Sequence, residues 1–245
     1  MWRYRQYCPV ARAAEIFADR WTPLILREML AGISHFNQIQ RGLPGISRTL
    51  LSTRLRALED AGVVSRSVGE APRSSEYHLT AAGDELSVVI ERLGAWGSRW
   101  AFGDPRPDEL DPVLLLWKMR RRIHHNRLPP GRVVVEFEFT GKRKARLWLV
   151  LKREEASLCV KPPGFDTDLV VTADLAAFYC VWLGRTPLDA ALRSGQVRLE
   201  GPKDLVRQFP RWLKWSPMAE HVREASLSKG VLAAHPLGPP RASAK

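Results

Sequence analysis

Apolar positions follow two different periods in the two halves of this chain. Up to about residue 100 the spacing is helical, and Pro9 to Ala18, Thr22 to Leu30 and Phe36 to Arg41 read as three successive helices. Thr22 is the expected N-cap of the second, with Pro23 at its first helical position. Leu43-Pro44-Gly45-Ile46 makes a tight turn, Ser47 caps a fourth helix, and Gly62 ends it in the way glycine commonly does. Two short strands, Val63 to Val68 and Glu76 to Leu79, bracket the polar loop "GEAPRSS", and Thr80 caps a helix running to about Trp100. Helices, hairpin and flanking helix in this order form a winged helix-turn-helix.

On the fourth helix Leu51, Leu55 and Leu58 share a narrow stripe, with Leu50 and Ala61 at its edge. Opposite them lie Thr49, Ser52, Thr53 and Arg56, with Arg48 at the margin; Arg54 lies nearer the apolar side and reads as a packing brace or a phosphate contact. Small hydroxyls let a helix enter the major groove, and arginine can donate two hydrogen bonds to guanine or one to phosphate. Ser47 and the free N–H groups beside it suit a phosphate oxygen. Taken alone, such a helix is more often an ordinary amphipathic one with a wet face. The turn, the preceding helix and the hairpin, with Arg66 and a wing tip of Arg73, Ser74 and Ser75, shift the reading to DNA.

Beyond the Pro- and Asp-rich segment 104–112, which reads as a linker or capped connection, the period becomes that of strands. Val135-Glu136-Phe137-Glu138-Phe139 and Leu147 to Leu151 alternate around a basic turn, Thr140 to Ala145. A strand from Asp168 to Thr172, an apolar helix from Asp174 to Leu183, a helix from Pro187 to Arg193, a strand from Gln196 to Glu200 and a helix from Pro202 follow. Lys118 to Arg122 reads as the solvated face of a helix, and residues 229–245 as a disordered tail.

Charge complicates the simple picture. The chain carries +12 with a pI near 10.2, which favours an anionic partner. Yet residues 1–103 hold 13 Arg, no Lys and 10 acids, a net of only +3, while the remainder holds 25 basic and 16 acidic residues. Three distant cysteines, Cys8, Cys159 and Cys180, give no disulfide framework and point to a reducing cytoplasm. The N-terminus lacks the apolar run of a secretory signal, and no stretch nears the ~20 apolar residues of a membrane span. There is no metal-ligand spacing around His124-His125, no phosphate loop and no nucleophile elbow, so neither enzyme activity, nor a metal, nor a cofactor is expected.

Residues 7–100 closely resemble the HxlR-type family of bacterial transcription regulators. The matches are Cys8-Pro9, Arg20-Trp21-Thr22 with Leu24-Ile25-Leu26-Arg27, the Phe36 helix, Gly45-Ile46-Ser47 with Leu51-Arg54-Leu55-Leu58, and Tyr77-Leu79-Thr80 with Gly83. The resemblance implies a homodimer, made by the terminal helices, on a pseudo-palindromic operator, usually as a repressor. The absence of Lys departs from the family's basic surface. Some members sense oxidants through a cysteine matching Cys8; its alternative reading, a small buried anchor of the first helix, stays first. Residues 110–215 resemble the sterol-carrier-protein-2-like fold through Asp168-Leu169, Thr172-Ala173-Asp174, Gly184, the segment 190–195 and Val197-Leu199-Gly201.

The expected fold is therefore α+β: a winged helix-turn-helix domain (1–103), a linker (104–112), and a sterol-carrier-protein-2-like α/β domain (113–218), an antiparallel-rich sheet covered by helices. Expected DNA contacts are Ser47, Arg48, Thr49, Ser52, Thr53, Arg56, Arg66, Arg73, Ser74 and Ser75. Phe178, Tyr179, Val181, Trp182, Phe209, Trp212 and Leu213 either line a pocket for a hydrophobic ligand or simply fill the core. The competing function is a lipid or acyl-chain carrier in which the winged helix is not the main activity.

Overall fold

Leu51, Leu55 and Leu58 close the first of two cores together with Ile25, Leu26, Ile33 and Ile39. The computed structural model describes residues 3–68 and 75–229. Contacts divide the chain into two compact units, Met1–Leu93 and Gly94–Lys245. The division falls inside a helix, and residue 103 lies beyond that helix's end.

The first unit is built from α1 (Pro9–Phe17), α2 (Thr22–Leu30), α3 (Phe36–Gly42), α4 (Arg48–Asp60), the hairpin β1 (Val64–Val68) and β2 (Ser75–Leu79), and the start of α5 (Ala81–Trp100). Ser47 caps α4 by accepting from Leu50 N–H at 3.1 Å, and Gly62 stops it with φ 72°, a conformation that glycine adopts without penalty. Thr22, in contrast, is not a cap. The chain already turns at Asp19, whose carbonyl accepts from Thr22 N–H at 3.0 Å; Trp21 takes the cap position and Thr22 is the buried first residue of α2. Gly42 is required by close packing, because a Cβ there would lie 2.3 Å from Glu28 Oε2. Arg54 braces the fold through Asp19 at 2.5 Å.

In the second unit α6 (Pro112–Met119) precedes β3 (Val133–Thr140), β4 (Ala145–Leu151), β5 (Ala156–Cys159) and β6 (Leu169–Asp174). Then come α7 (Leu175–Trp182), α8 (Leu188–Arg193), β7 (Val197–Glu200), α9 (Lys203–Trp212) and α10 (Ala219–Lys229). The sheet order is β5-β4-β3-β6-β7; β3 and β6 are parallel and the other pairs antiparallel. Val135, Phe137 and Phe139 on one face of β3 pack with Phe178 of α7 and Phe209 of α9. On the other face the nearly buried Glu136 is bonded by Arg146 and by Thr167 Oγ1, the latter at 2.9 Å, which offsets the cost of burying a charge.

Segment 104–112 is fastened to this unit. Arg185 holds Asp104 at 2.8 Å, Tyr179 Oη donates to Asp111 O at 2.8 Å, Arg143 donates to Leu110 O at 2.9 Å, and Leu110 is buried. Burial pushes the Tyr179 phenol up to about 12. The run 118–122 is not a solvated helix face. Helix α6 ends at Met119, Arg120 and Arg121 lie over the Trp117 ring at 3.9 and 5.9 Å, and Arg122 bonds backbone carbonyls. The negative face of the indole attracts guanidinium groups electrostatically. The aromatic residues expected to line a pocket are packed on one another: Phe178 meets Phe137 and Phe139 at 5.8 and 5.6 Å, and Phe209 meets Trp212 at 5.9 Å. Val181, Trp182 and Leu213 are buried in the same core, and Tyr179 packs at its edge. Of the expected tail 229–245, Lys229 instead ends α10, and 230–245 lie outside the described residues.

Candidate nucleic-acid interface

The wet face of α4 forms the floor of an open groove of about 1100 Å³, walled by the start of α3 and by the hairpin. Arg48, Thr49, Ser52, Thr53 and Arg56 come from α4, Arg66 and Ser75 from the hairpin. These are seven of the expected DNA contacts, gathered on one concave surface. Ser47 stands just outside it as the cap, and Arg73 and Ser74 lie outside the described residues.

Two of the arginines are already positioned. Arg48 Nη1 donates to Asn37 Oδ1 at 2.9 Å and to Gln40 Oε1 at 3.3 Å, and its guanidinium lies 5.0 Å from the Phe36 ring centre. Arg66 donates through Nε and Nη2 to Ser75 Oγ at 3.0 and 2.7 Å, close to the ring of Tyr77. A bond to one edge of a guanidinium leaves other N–H groups for a ligand and removes rotamer freedom beforehand. Arg56 is exposed. Thr53 donates to Thr49 O at 3.0 Å, so its hydroxyl offers the groove an acceptor more readily than a donor.

Sequence reasoning missed the α3 side of the groove. His35, Phe36, Asn37 and Gln38 line it, as do Glu76 and Tyr77 of β2. Glu76 lies between His78 Nε2 at 3.3 Å and His35 Nε2 at 3.8 Å, which links the wing to the start of α3. The polar run "HFNQ" was the available signal; its four residues are adjacent only through a short helix whose facing cannot be read from its own sequence.

A family model described as HxlR-like helix-turn-helix matches residues 16–104. YvaP of Bacillus subtilis, an uncharacterized HTH-type transcriptional regulator, is 37% identical over 97 residues, spanning 39% of this chain and 90% of that protein. The chain belongs to the HxlR-like helix-turn-helix family. The uncharacterized HTH-type transcriptional regulator Rv3095 of Mycobacterium tuberculosis is 43% identical over 100 residues. That match spans 40% of this chain and 61% of that protein. Among solved structures, the redox regulator HypR in its oxidized form is 30% identical, with 40% of this chain and all of that chain covered and a TM-score of 0.37. These relatives are named as regulators, not as enzymes, and the HxlR-type match is confined to the N-terminal part of the chain.

Cys8, the residue expected either to sense oxidants or to anchor α1, is half-buried at the N-cap of that helix. Its carbonyl accepts from Arg12 N–H at 3.0 Å, while the Arg12 guanidinium pairs with Glu15 at 3.3 Å. All three cysteines are free thiols. No helix among the described residues is long and apolar enough to cross a membrane.

Proposed function

We propose that this protein is a cytoplasmic, non-enzymatic transcription regulator, in keeping with its family a repressor, whose α4 groove reads the major groove of a pseudo-palindromic operator. The observation that carries this reading is the gathering of Arg48, Arg56 and Arg66 with small hydroxyl side chains on one open concave surface, with Glu59 and Asp60 kept to the far end of α4. Ser47, Arg48, Thr49, Ser52, Thr53 and Arg56 are the proposed contacts of the reading helix, and Arg66, Arg73, Ser74 and Ser75 those of the wing. The working form is a homodimer. Val89, Leu93, Trp96 and Trp100 recur on one exposed face of the single helix α5, an apolar face suited to a second copy. Duplexes selected from a random library by the full chain should contain two inverted half-sites about one helical turn (~34 Å) apart. Enrichment of no sequence would contradict the proposal.

For the C-terminal unit we propose a sterol-carrier-protein-2-like module whose apolar core admits a hydrophobic effector beside Phe178, Tyr179, Val181, Trp182, Phe209, Trp212 and Leu213. A sheet with helices packed on one face supports this, as does the buried Trp212 Nε1, which has no hydrogen-bond partner in the described structure. To regulate, the ligand must bind the DNA-competent and incompetent states unequally. Native mass spectrometry of the full chain tests it: a copurified lipid supports the module, and a lipid-bound chain with no operator preference supports the carrier instead.

A further inference from the structure

The basic surplus of the second half is concentrated in two stretches. Positions 112–135 hold six Arg or Lys, two His and no Asp or Glu; positions 205–219 hold three Arg or Lys and again no acid. Elsewhere between 104 and 245 basic and acidic residues balance. The fold joins these two stretches edge to edge. His124 N–H donates to Trp212 O at 2.7 Å, Lys214 N–H donates to Arg122 O at 2.7 Å, and Ile123 pairs antiparallel with Leu213. Arg122 Nε bonds Trp215 O at 2.6 Å, which stitches the junction from the side-chain side.

Like charges are thereby crowded. Burial first, and then the positive charges of Arg127, Lys214 and Arg122, hold the His124 imidazole below its usual pKa. Arg127, Arg211 and Lys214 are exposed. Some cations of this unit are paired with acids, as in Arg193–Asp189 and Arg185–Asp104, both at 2.8 Å, and Arg207–Asp204 at 2.7 Å. Crowded cations raise the folded protein's energy, and a polyanion relieves that repulsion.

We propose that this 122–124/212–214 bridge is a second DNA-contacting surface, which binds phosphates without reading bases. The inference rests on the operator-reading role of the α4 groove and supplies what that groove lacks. Residues 1–103 carry a net of only +3 and no lysine, while non-specific attraction grows with the number of phosphates neutralised. The chemistry of the bridge favours a nucleic acid over a lipid surface. Among the described residues, no large apolar side chain is exposed in 120–132 or 205–219, and interfacial membrane binding draws on buried apolar area.

The test measures binding of the full chain to a random-sequence duplex and to a library-selected duplex across a potassium chloride series. Each lost phosphate contact lowers the log–log salt slope by about 0.9, so R127Q/R211Q/K214Q should lower it by up to about 2.7 on both duplexes and keep their affinity ratio. R127Q alone should lose about 0.9, which guards against a folding defect in the triple variant. R193Q, at a paired cation, should leave the slope unchanged. A triple variant with the wild-type slope overturns the proposal, as does an equal drop for R193Q. Binding of the bridge to phosphatidylglycerol vesicles with no change in DNA slope overturns it too. If the wild type prefers no selected duplex, the groove reading itself has failed; if the preference stands and the slope does not move, only the bridge has.

Discussion

Arg48 and Arg127 are both exposed arginines, and their surroundings differ in kind. Arg48 is held by two amide oxygens and an aromatic ring before any ligand arrives; Arg127 stands among other cations in a stretch without a single acid. A pre-positioned guanidinium loses little freedom on binding and favours one geometry, which suits base reading. A crowded cation favours any phosphate. On our reading, the chain divides specificity and attraction between its two units, so a weakly basic recognition domain need not supply both.

That division can be broken from either side. The largest effect is expected from Leu55→Ala, which empties a fully buried site under the groove. It should cost about 3 kcal/mol in urea unfolding, while exposed Arg127→Gln should stay within about 0.5 kcal/mol. Ser47→Ala removes the α4 cap and should cost about 1 kcal/mol of stability, with a matching loss of operator affinity as the start of the reading helix frays. Asn37→Ala removes the shorter of the two hydrogen bonds that position Arg48 and should weaken operator binding by about 1 kcal/mol, mainly through loss of discrimination at one base position. Equal weakening on random DNA would instead make Arg48 a phosphate contact.

The smallest effect is a pH dependence from the bridge. The folded pKa of His124 is depressed, so the unfolded chain binds its proton more readily. Stability from this group is present above the ordinary histidine range, near 6.5, and is lost as pH falls from there through the lower folded value. A urea series for wild type and His124→Gln should therefore diverge in mildly acid solution and converge above neutrality. Parallel curves would remove His124 from the charge crowding.

Much of the first unit was legible because its signals are local. Leucine spacing, Ser47 and Gly62 delimit α4 within a single stretch of chain, and Thr80 caps α5 by accepting from Gly83 N–H. The α3 wall of the groove was not, since the Asn37–Arg48 bond joins separate elements. Thr22 misled because threonine followed by proline is a good start signal, while the turn that begins the helix is closed earlier, by Asp19. In the second unit β3, β4, β6, β7, α7, α8 and α9 were readable from their period, while β5, α10 and the setting of Lys118 to Arg122 were not. The environment of that run is set by Trp117 and by pairing with residues some ninety positions away, which no local pattern encodes.

The most direct measurement compares Arg56→Ala with wild type on a library-selected duplex and on a random one at a single salt concentration. Arg56 stands exposed in the groove, so its removal should cost about 2 kcal/mol, roughly 30-fold, on the selected duplex and little on the random one. Equal losses on the two duplexes would contradict base reading by α4.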